Sequence, residues 1–283
     1  MIKECVRLVE VGPRDGLQNE KRLYSVEERV NLINALSPCG FSEIEVGSFV
    51  SPKWVPQMAN TGNVFRKIHK EPGVIYSALV PNERGLEEAL DVGLKSISVF
   101  TAASETFTQK NINCTIVESM ARFKGIIQKA KDHHLRVRGY VSCVISCPYE
   151  GAISPAAVSK VTQGLLEIGC DEVSLGDTIG KGVPETVSHL LDVILKKSPV
   201  SNLAIHCHDT YGNAIQNVLT ALQYGIRTVD SSIGGLGGCP YAGPSAKGNV
   251  ATEVVVRALK DHGYETAVPE EKLKKALSYL SSL

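Results

Sequence analysis

Three observations in the sequence predict an α/β fold, a (β/α)8 TIM barrel. Short β-rich apolar runs alternate eight times with amphipathic helical stretches. Glycines close several of those helical stretches before the next strand begins. Polar residues gather at the carboxyl ends of the strands, where such barrels keep their chemistry. The 283 residues lie within the size range of one barrel. Residues 1–283 are therefore expected to form a single catalytic domain, with the barrel over about 5–262 and a C-terminal helical extension over about 268–283. A doubly wound open sheet is the nearest alternative. It usually has fewer strands and keeps its site at a strand-order switch, which the regular repetition does not suggest.

In chain order, the first strand is expected near Val6–Val11 and runs into a turn bounded by Gly12, Pro13 and Gly16. Ser25 and Glu28 stand in capping-box order before a helix near Val26–Ser37, and Gly40 closes it ahead of the second strand, near Glu43–Gly47. A helical stretch near Val55–His69 leads to the third strand, near Val74–Leu79, and a helix near Glu83–Val92 ends at Gly93. The fourth strand falls near Ser96–Phe100, followed by a longer helix, Ile116–His133, and the fifth strand, near Arg136–Ser142. Ser154 and Pro155 supply an N-cap and a proline at the first helical position for a helix near Pro155–Gly169. The sixth strand falls near Glu172–Leu175, a helix near Pro184–Lys196, the seventh strand near Leu203–His208, and a helix near Ala214–Tyr224 with Gly225 behind it. The eighth strand near Thr228–Ile233 and a helix near Val250–His262 complete the barrel; one more helix, Glu270 to Leu280, covers an end of it.

Formal net charge is zero, with 30 basic and 30 acidic residues and no long run of one sign. Neither nucleic acid nor a membrane surface is expected as a partner. No stretch approaches the roughly 18 consecutive apolar residues of a membrane span. Strand-like sequence begins almost at once, without a signal-peptide or transit-peptide pattern. The chain therefore reads as cytoplasmic, or as belonging to the mitochondrial matrix if a leader has been removed. Its eight cysteines read as reduced thiols, with Cys5, Cys39 and Cys170 as small buried hydrophobes. Cys143 and Cys147 lack a second pair to complete a zinc site, which leaves Cys239 as the cysteine in a chemically suggestive place.

The seventh strand ends His206-Cys207-His208, and residues two apart on a strand face the same way, so both imidazoles can grip one metal ion. The first strand ends in a turn carrying Arg14 and Asp15, the second carries Glu45 between Ile44 and Val46, and the sixth runs into Asp177. Carboxylates on apolar strands are costly to bury unless paired or bound to metal. For Glu45 the plain alternative is an ion pair with Arg14. Asp15 with the two histidines makes a mixed nitrogen and oxygen ligand set. A two-histidine, one-carboxylate iron site is one reading, but an open octahedral Mg²⁺ or Mn²⁺ site suits paired histidines with a distant carboxylate better. The glycine run 234–238 lacks the spacing and lysine of a nucleotide loop. A mobile loop that carries Cys239 over a bound substrate is the better use of it.

The segments Val9 to Lys21, Ser48 to Met58, Gly139 to Cys143, Cys147 to Gly151, Ser174 to Gly180, His206 to Gly212 and Gly235 to Ala242 closely resemble the 3-hydroxy-3-methylglutaryl-CoA lyase family. Isopropylmalate and homocitrate synthases share the Arg-Asp turn and the His-x-His strand, but not the Gly-Gly-Cys-Pro-Tyr loop. The resemblance implies that Asp15, His206, His208 and Asn249 ligate a divalent cation, Mg²⁺ or Mn²⁺. It implies that Arg14 contacts the thioester carbonyl and that Cys239 is a catalytic thiol. Glu10, Glu45, Asp177 and Glu253 match residues that line or brace the family's site, and Lys21 one that helps hold the CoA moiety. Three departures stand out: Gly234 where alanine is expected, one extra residue between Ala242 and Gly248, and an early end at Leu283.

The implied reaction is a retro-Claisen cleavage of an acyl-CoA, (S)-3-hydroxy-3-methylglutaryl-CoA, to acetoacetate and acetyl-CoA, the chemistry of leucine degradation and ketone-body formation. The resemblance also implies a homodimer. Asp15 and His206 are both candidate bases for the tertiary hydroxyl, and the sequence does not choose between them. A Claisen-type synthase of the same barrel group is the nearest competing reading, and a catalytically silent scaffold the more distant one. A silent barrel is expected to have lost some of Arg14, Asp15, His206, His208 and Cys239, and all five are present.

Overall fold

The computed structural model describes residues 4–237 and 248–283. Eight parallel strands close into a barrel: β1 (Arg7–Glu10), β2 (Glu43–Ser48), β3 (Ile75–Leu79), β4 (Ser96–Ala102), β5 (Arg136–Ser142), β8 (Glu172–Asp177), β9 (Leu203–Cys207) and β10 (Thr228–Ser231). The missing numbers, β6 (Ser146–Cys147) and β7 (Gly151–Ala152), form a small antiparallel hairpin after β5. Closure comes from β1, which pairs with β2 on one side and with β10 on the other. The helices are α1 (Val26–Leu36), α2 (Thr61–Lys67), α3 (Glu83–Asp91), α4 (Glu105–Ile112), α5 (Ile116–Asp132), α6 (Pro155–Glu167), α7 (Pro184–Ile194), α8 (Ala214–Gln223), α9 (Thr252–Asp261) and α10 (Glu270–Ser282).

Alternation along the strands sorts the residues into two populations. Ile44, Val46, Ile97, Val99, Val137, Val173, Ile205 and Val229 belong to the apolar core packed beneath the helices. The intervening positions are polar, and several meet across the barrel. Arg138 on β5 reaches Asp230 on β10, with Nη2 to Oδ1 2.6 Å and Nη1 to Oδ2 3.1 Å, and its Nε donates to Glu172 Oε1 at 2.8 Å. Arg136 pairs with Glu43 at 2.7 Å. Barrel interiors are more often filled with branched apolar side chains. Here the charges of Glu43, Glu172 and Asp230 are tolerated because each of these carboxylates meets a guanidinium.

The sequence-derived punctuation holds. Ser25 and Glu28 form the reciprocal capping box, Ser154 caps α6, and Gly40, Gly93, Gly169 and Gly225 all have positive φ. Boundaries shift where proline intervenes. The helix expected from Val55 begins at Thr61, because Pro56–Met58 form a separate 3-10 turn. Two elements on the barrel rim were not expected: the β6–β7 hairpin, and α4, where the Ser104 hydroxyl accepts from the Phe107 amide at 3.0 Å. The extra C-terminal helix is present as α10, with Leu273 and Ala276 buried beneath it. Among the described residues, no helix is long and apolar enough to cross a membrane.

Candidate active site

The turn after β1 is a single π-helical turn over Gly12–Gly16, in which the amides of Asp15 and Gly16 donate to the Val11 carbonyl at 2.7 and 3.2 Å. It packs so tightly on the segment after β10 that a Cβ at Gly16 would lie 2.7 Å from the Leu236 Cβ. The sequence needs glycine there for the turn to present Arg14 and Asp15 at the barrel mouth. Asp15 then meets His206, on β9, and His208, one residue past its end: one ligand-capable atom from each lies within 4.8 Å of the others. Among the described residues this is the one such cluster of three. Asn249 joins it by an isolated antiparallel bridge to His208, and its Nδ2 donates to Asp15 Oδ2 at 2.9 Å and to the Leu236 carbonyl at 3.1 Å.

The electrostatics suit a cation. Burial opposes charge on Asp15, but the Arg14 guanidinium, helped by His206, His208 and the Asn249 hydrogen bond, holds its carboxyl well below the usual range. Burial, with His206 beside it, pushes His208 down to about 4, so its imidazole is neutral at neutral pH and has a lone pair to give. His208 Nδ1 is buried without a hydrogen-bond partner among the described residues. An ionised carboxylate on Asp15 and a neutral imidazole with an unsatisfied ring nitrogen on His208 are donors that suit a divalent cation.

Arg14 is buried and held by two carboxylates: Nε donates to Glu45 Oε2 and Nη1 to Asp15 Oδ1, both at 2.5 Å. The ion pair with Arg14 that was the plain alternative for Glu45 is therefore present. Glu45 also accepts from the Ser98 hydroxyl and from Tyr140 Oη, the latter at 3.2 Å, and the Arg14 guanidinium lies 5.2 Å from the Tyr140 ring centroid. Beside these groups is a cavity of about 170 Å³, polar where Arg14, Tyr140 and the histidines face it and apolar where Leu79, Phe100 and Phe107 do. A larger cleft of about 560 Å³ lies between α2 and α3, but its charges, such as Arg66 and Asp91, are paired with each other and it contains none of the cluster.

The remaining expected residues divide by place. Glu10 is a buried clamp: its carboxylate accepts from the amides of Gly12 at 2.8 Å and Ile233 at 2.9 Å and from the Thr252 hydroxyl at 2.8 Å, tying the π turn to the start of the segment after β10. Burial lifts it to about 7 against those hydrogen bonds. Asp177 accepts from the Gly182 amide at 2.7 Å, and burial raises it to about 6. Glu253 accepts from the Gly234 amide at 3.1 Å. Lys21 is exposed and does not line the cavity. Cys239 lies outside the described residues.

Sequence reasoning missed Tyr140, Arg138 and Asp230. Asp230 is paired in register with His206, accepts from the Ser174 hydroxyl at 2.8 Å, and lies 3.3 Å from His206 Nδ1. Burial opposes its charge, yet Arg138 and His206 hold it down to about 2. A usable signal existed: Thr228-Val229-Asp230-Ser231 places a lone carboxylate on the inward face of the strand next to the histidines.

The chain is also similar to known proteins. The family model described as HMGL-like matches residues 5–279. The human mitochondrial hydroxymethylglutaryl-CoA lyase is 52% identical over 275 residues, covering 97% of this chain and 84% of that protein. A rat 3-hydroxy-3-methylglutaryl-CoA lyase described as cytoplasmic is 51% identical over 279 residues, covering 99% and 81%. Among solved structures, an HMG-CoA lyase from Acinetobacter baumannii in complex with coenzyme A and 3-methylmalate superimposes with a TM-score of 0.94 at 34% identity, covering 100% of this chain and 92% of that one.

Proposed function

This chain belongs to the hydroxymethylglutaryl-CoA lyase family, and from that premise we propose that it is a metal-dependent carbon–carbon lyase cleaving (S)-3-hydroxy-3-methylglutaryl-CoA to acetoacetate and acetyl-CoA. The observation that carries the reading is the convergence of Asp15, His206 and His208 within 4.8 Å beside the buried Arg14. A divalent cation, Mg²⁺ or Mn²⁺, held by Asp15, His206, His208 and Asn249 would act as a Lewis acid that makes the tertiary hydroxyl easier to deprotonate.

The protein's own residues do the rest. The hydroxyl proton leaves, the oxygen forms the ketone of acetoacetate, and the broken carbon–carbon bond gives its electron pair to the thioester enolate. Arg14, clamped by Glu45 and Asp15, faces that enolate oxygen with a charge that needs no reorganisation. Of the two candidate bases, Asp15 is the weaker, because Arg14 and the histidines stabilise its ionised form. His206 is a base only through the lone pair it would otherwise give to the cation, so both residues stay candidate acceptors of the hydroxyl proton. Cys239 returns a proton to the enolate carbon, and Glu10 and Glu253 anchor the residues from which its loop departs. Asp177 buttresses the turn at 180–182. Lys21 stays in the reading only as an outer contact for the CoA moiety.

The functional unit is a single barrel domain, with a homodimer as its assembly and the cytoplasm or the mitochondrial matrix as its compartment. The deciding experiment measures acetoacetate release from (S)-3-hydroxy-3-methylglutaryl-CoA by purified, reduced protein with Mg²⁺ or Mn²⁺, and again after chelation. Metal-dependent release is expected. No release with either ion, or CoA release that requires an added 2-oxo acid, would overturn the assignment.

A further inference from the structure

Asp230 belongs to no part of the reaction described so far, yet its carboxylate is held firmly in the barrel interior. Both of its oxygens accept from Arg138, and Oδ2 also accepts from Ser174 at 2.8 Å. It is 1% exposed and does not line the cavity beside the cluster. His206 Nδ1 lies 3.3 Å from Oδ2, and an ionised carboxylate can only accept, so the imidazole proton resides on Nδ1. That tautomer leaves the lone pair on Nε2. His208 differs, since its Nδ1 has no hydrogen-bond partner among the described residues. The two histidines of the cluster are thus held unequally: one is oriented by a fixed carboxylate, the other only by packing and its strand.

We propose that Asp230, itself fixed by Arg138 and Ser174, is a positioning residue that sets the tautomer and ring orientation of His206 and thereby the affinity of the Asp15–His206–His208 cluster for a divalent cation. The inference rests on the metal reading of that cluster. It makes Arg138, on β5 two strands away from β9, part of the support for the site: its bidentate grip prevents the carboxylate from rotating away from the imidazole. Outer partners of this kind typically contribute about 10- to 100-fold in metal affinity.

The test is a double-mutant cycle on Mn²⁺ dissociation constants, read by EPR of free Mn²⁺ with the full chain and no substrate. Wild type, Asp230→Asn, His206→Ala and the combined variant are compared. Asp230→Asn is expected to weaken Mn²⁺ about 10- to 100-fold when His206 is present and by less than about twofold when it is absent, because the effect runs through that ring. Weakening of equal size in both backgrounds would mean general damage to the barrel, and unchanged affinity would mean no role; either overturns the proposal. Should Asp230→Asn not fold, Asp230→Asn/Arg138→Gln removes the stranded cation along with the anion, and the same cycle is read on it. If wild type binds no Mn²⁺, or His206→Ala leaves the affinity unchanged, the metal reading of the cluster fails instead.

Discussion

Arg14 is held by Glu45 and Asp15 at 2.5 Å each, over the face of Tyr140, so its guanidinium has little freedom left to lose when a substrate arrives. A preformed donor of this kind acts on charge that develops during the reaction more than on binding. Arg14→Ala is expected to lower kcat by about 10²- to 10³-fold while changing KM little, in steady-state assays of acetoacetate release. Near-normal kcat would remove Arg14 from the chemistry. Glu10 makes a different prediction, about stability. Its carboxyl titrates at about 7 in the fold against 4.5 for a free side chain, so the folded state prefers the protonated form. The stability it contributes is full below 4.5 and is lost as pH rises through 7, a difference of roughly 3 kcal/mol. Thermal unfolding of Glu10→Gln is expected to lose less stability than wild type between pH 5 and 8, and parallel profiles would show that Glu10 is not the group responsible. Residue types with distinctive chemistry, Arg14, Asp15 and the two histidines, were legible in the sequence because few other roles explain them at strand ends. Tyr140 and Asp230 were not, because one aromatic or one acid on a strand has many ordinary explanations until its partners across the barrel are known.

At the scale of elements, α10 does more than cover an end of the barrel. Leu280 projects onto Gly234, where an added Cβ would lie 2.9 Å from Leu280 Cδ2, and Gly234 has φ +63°. The glycine found where the resemblance implies alanine is therefore matched to this helix. Gly234→Ala should cost about 1–2 kcal/mol through left-handed strain alone, and more through the contact. Combining it with Leu280→Ala should cost less than the sum of the two, as measured by chemical denaturation; strict additivity would separate the helix from the loop stem. Long elements announced themselves through caps, glycine stops and alternation, as α1 and α6 did. The rim elements did not: α4 is eight residues of mostly polar sequence, and the β6–β7 hairpin has only two residues in each strand. Patterns that short carry too few periods to be told from loop.

Across the whole molecule, the cluster draws on distant parts of the chain: Asp15 follows the first barrel strand, while His206, His208 and Asn249 come from the chain's last third. Alternation made the eight-strand architecture readable, and the site followed from it because the strand ends must converge. The interior charge network was less readable, since an arginine such as Arg138 on a strand names no partner until closure sets it against Asp230. That closure joins Arg7 to Thr228 and Glu10 to Ser231, contacts whose formation costs the loop entropy of nearly the entire chain. No fragment that stops short of β10 can assemble the ion's binding place, however native its earlier strands have become. If the cluster holds Mn²⁺ as proposed, that ion is a clock for the last event of folding: in a stopped-flow refolding experiment, ion uptake should lag the gain of helical circular dichroism and coincide with the slowest phase. Uptake in step with the first helical signal would mean that the two ends of the chain meet early.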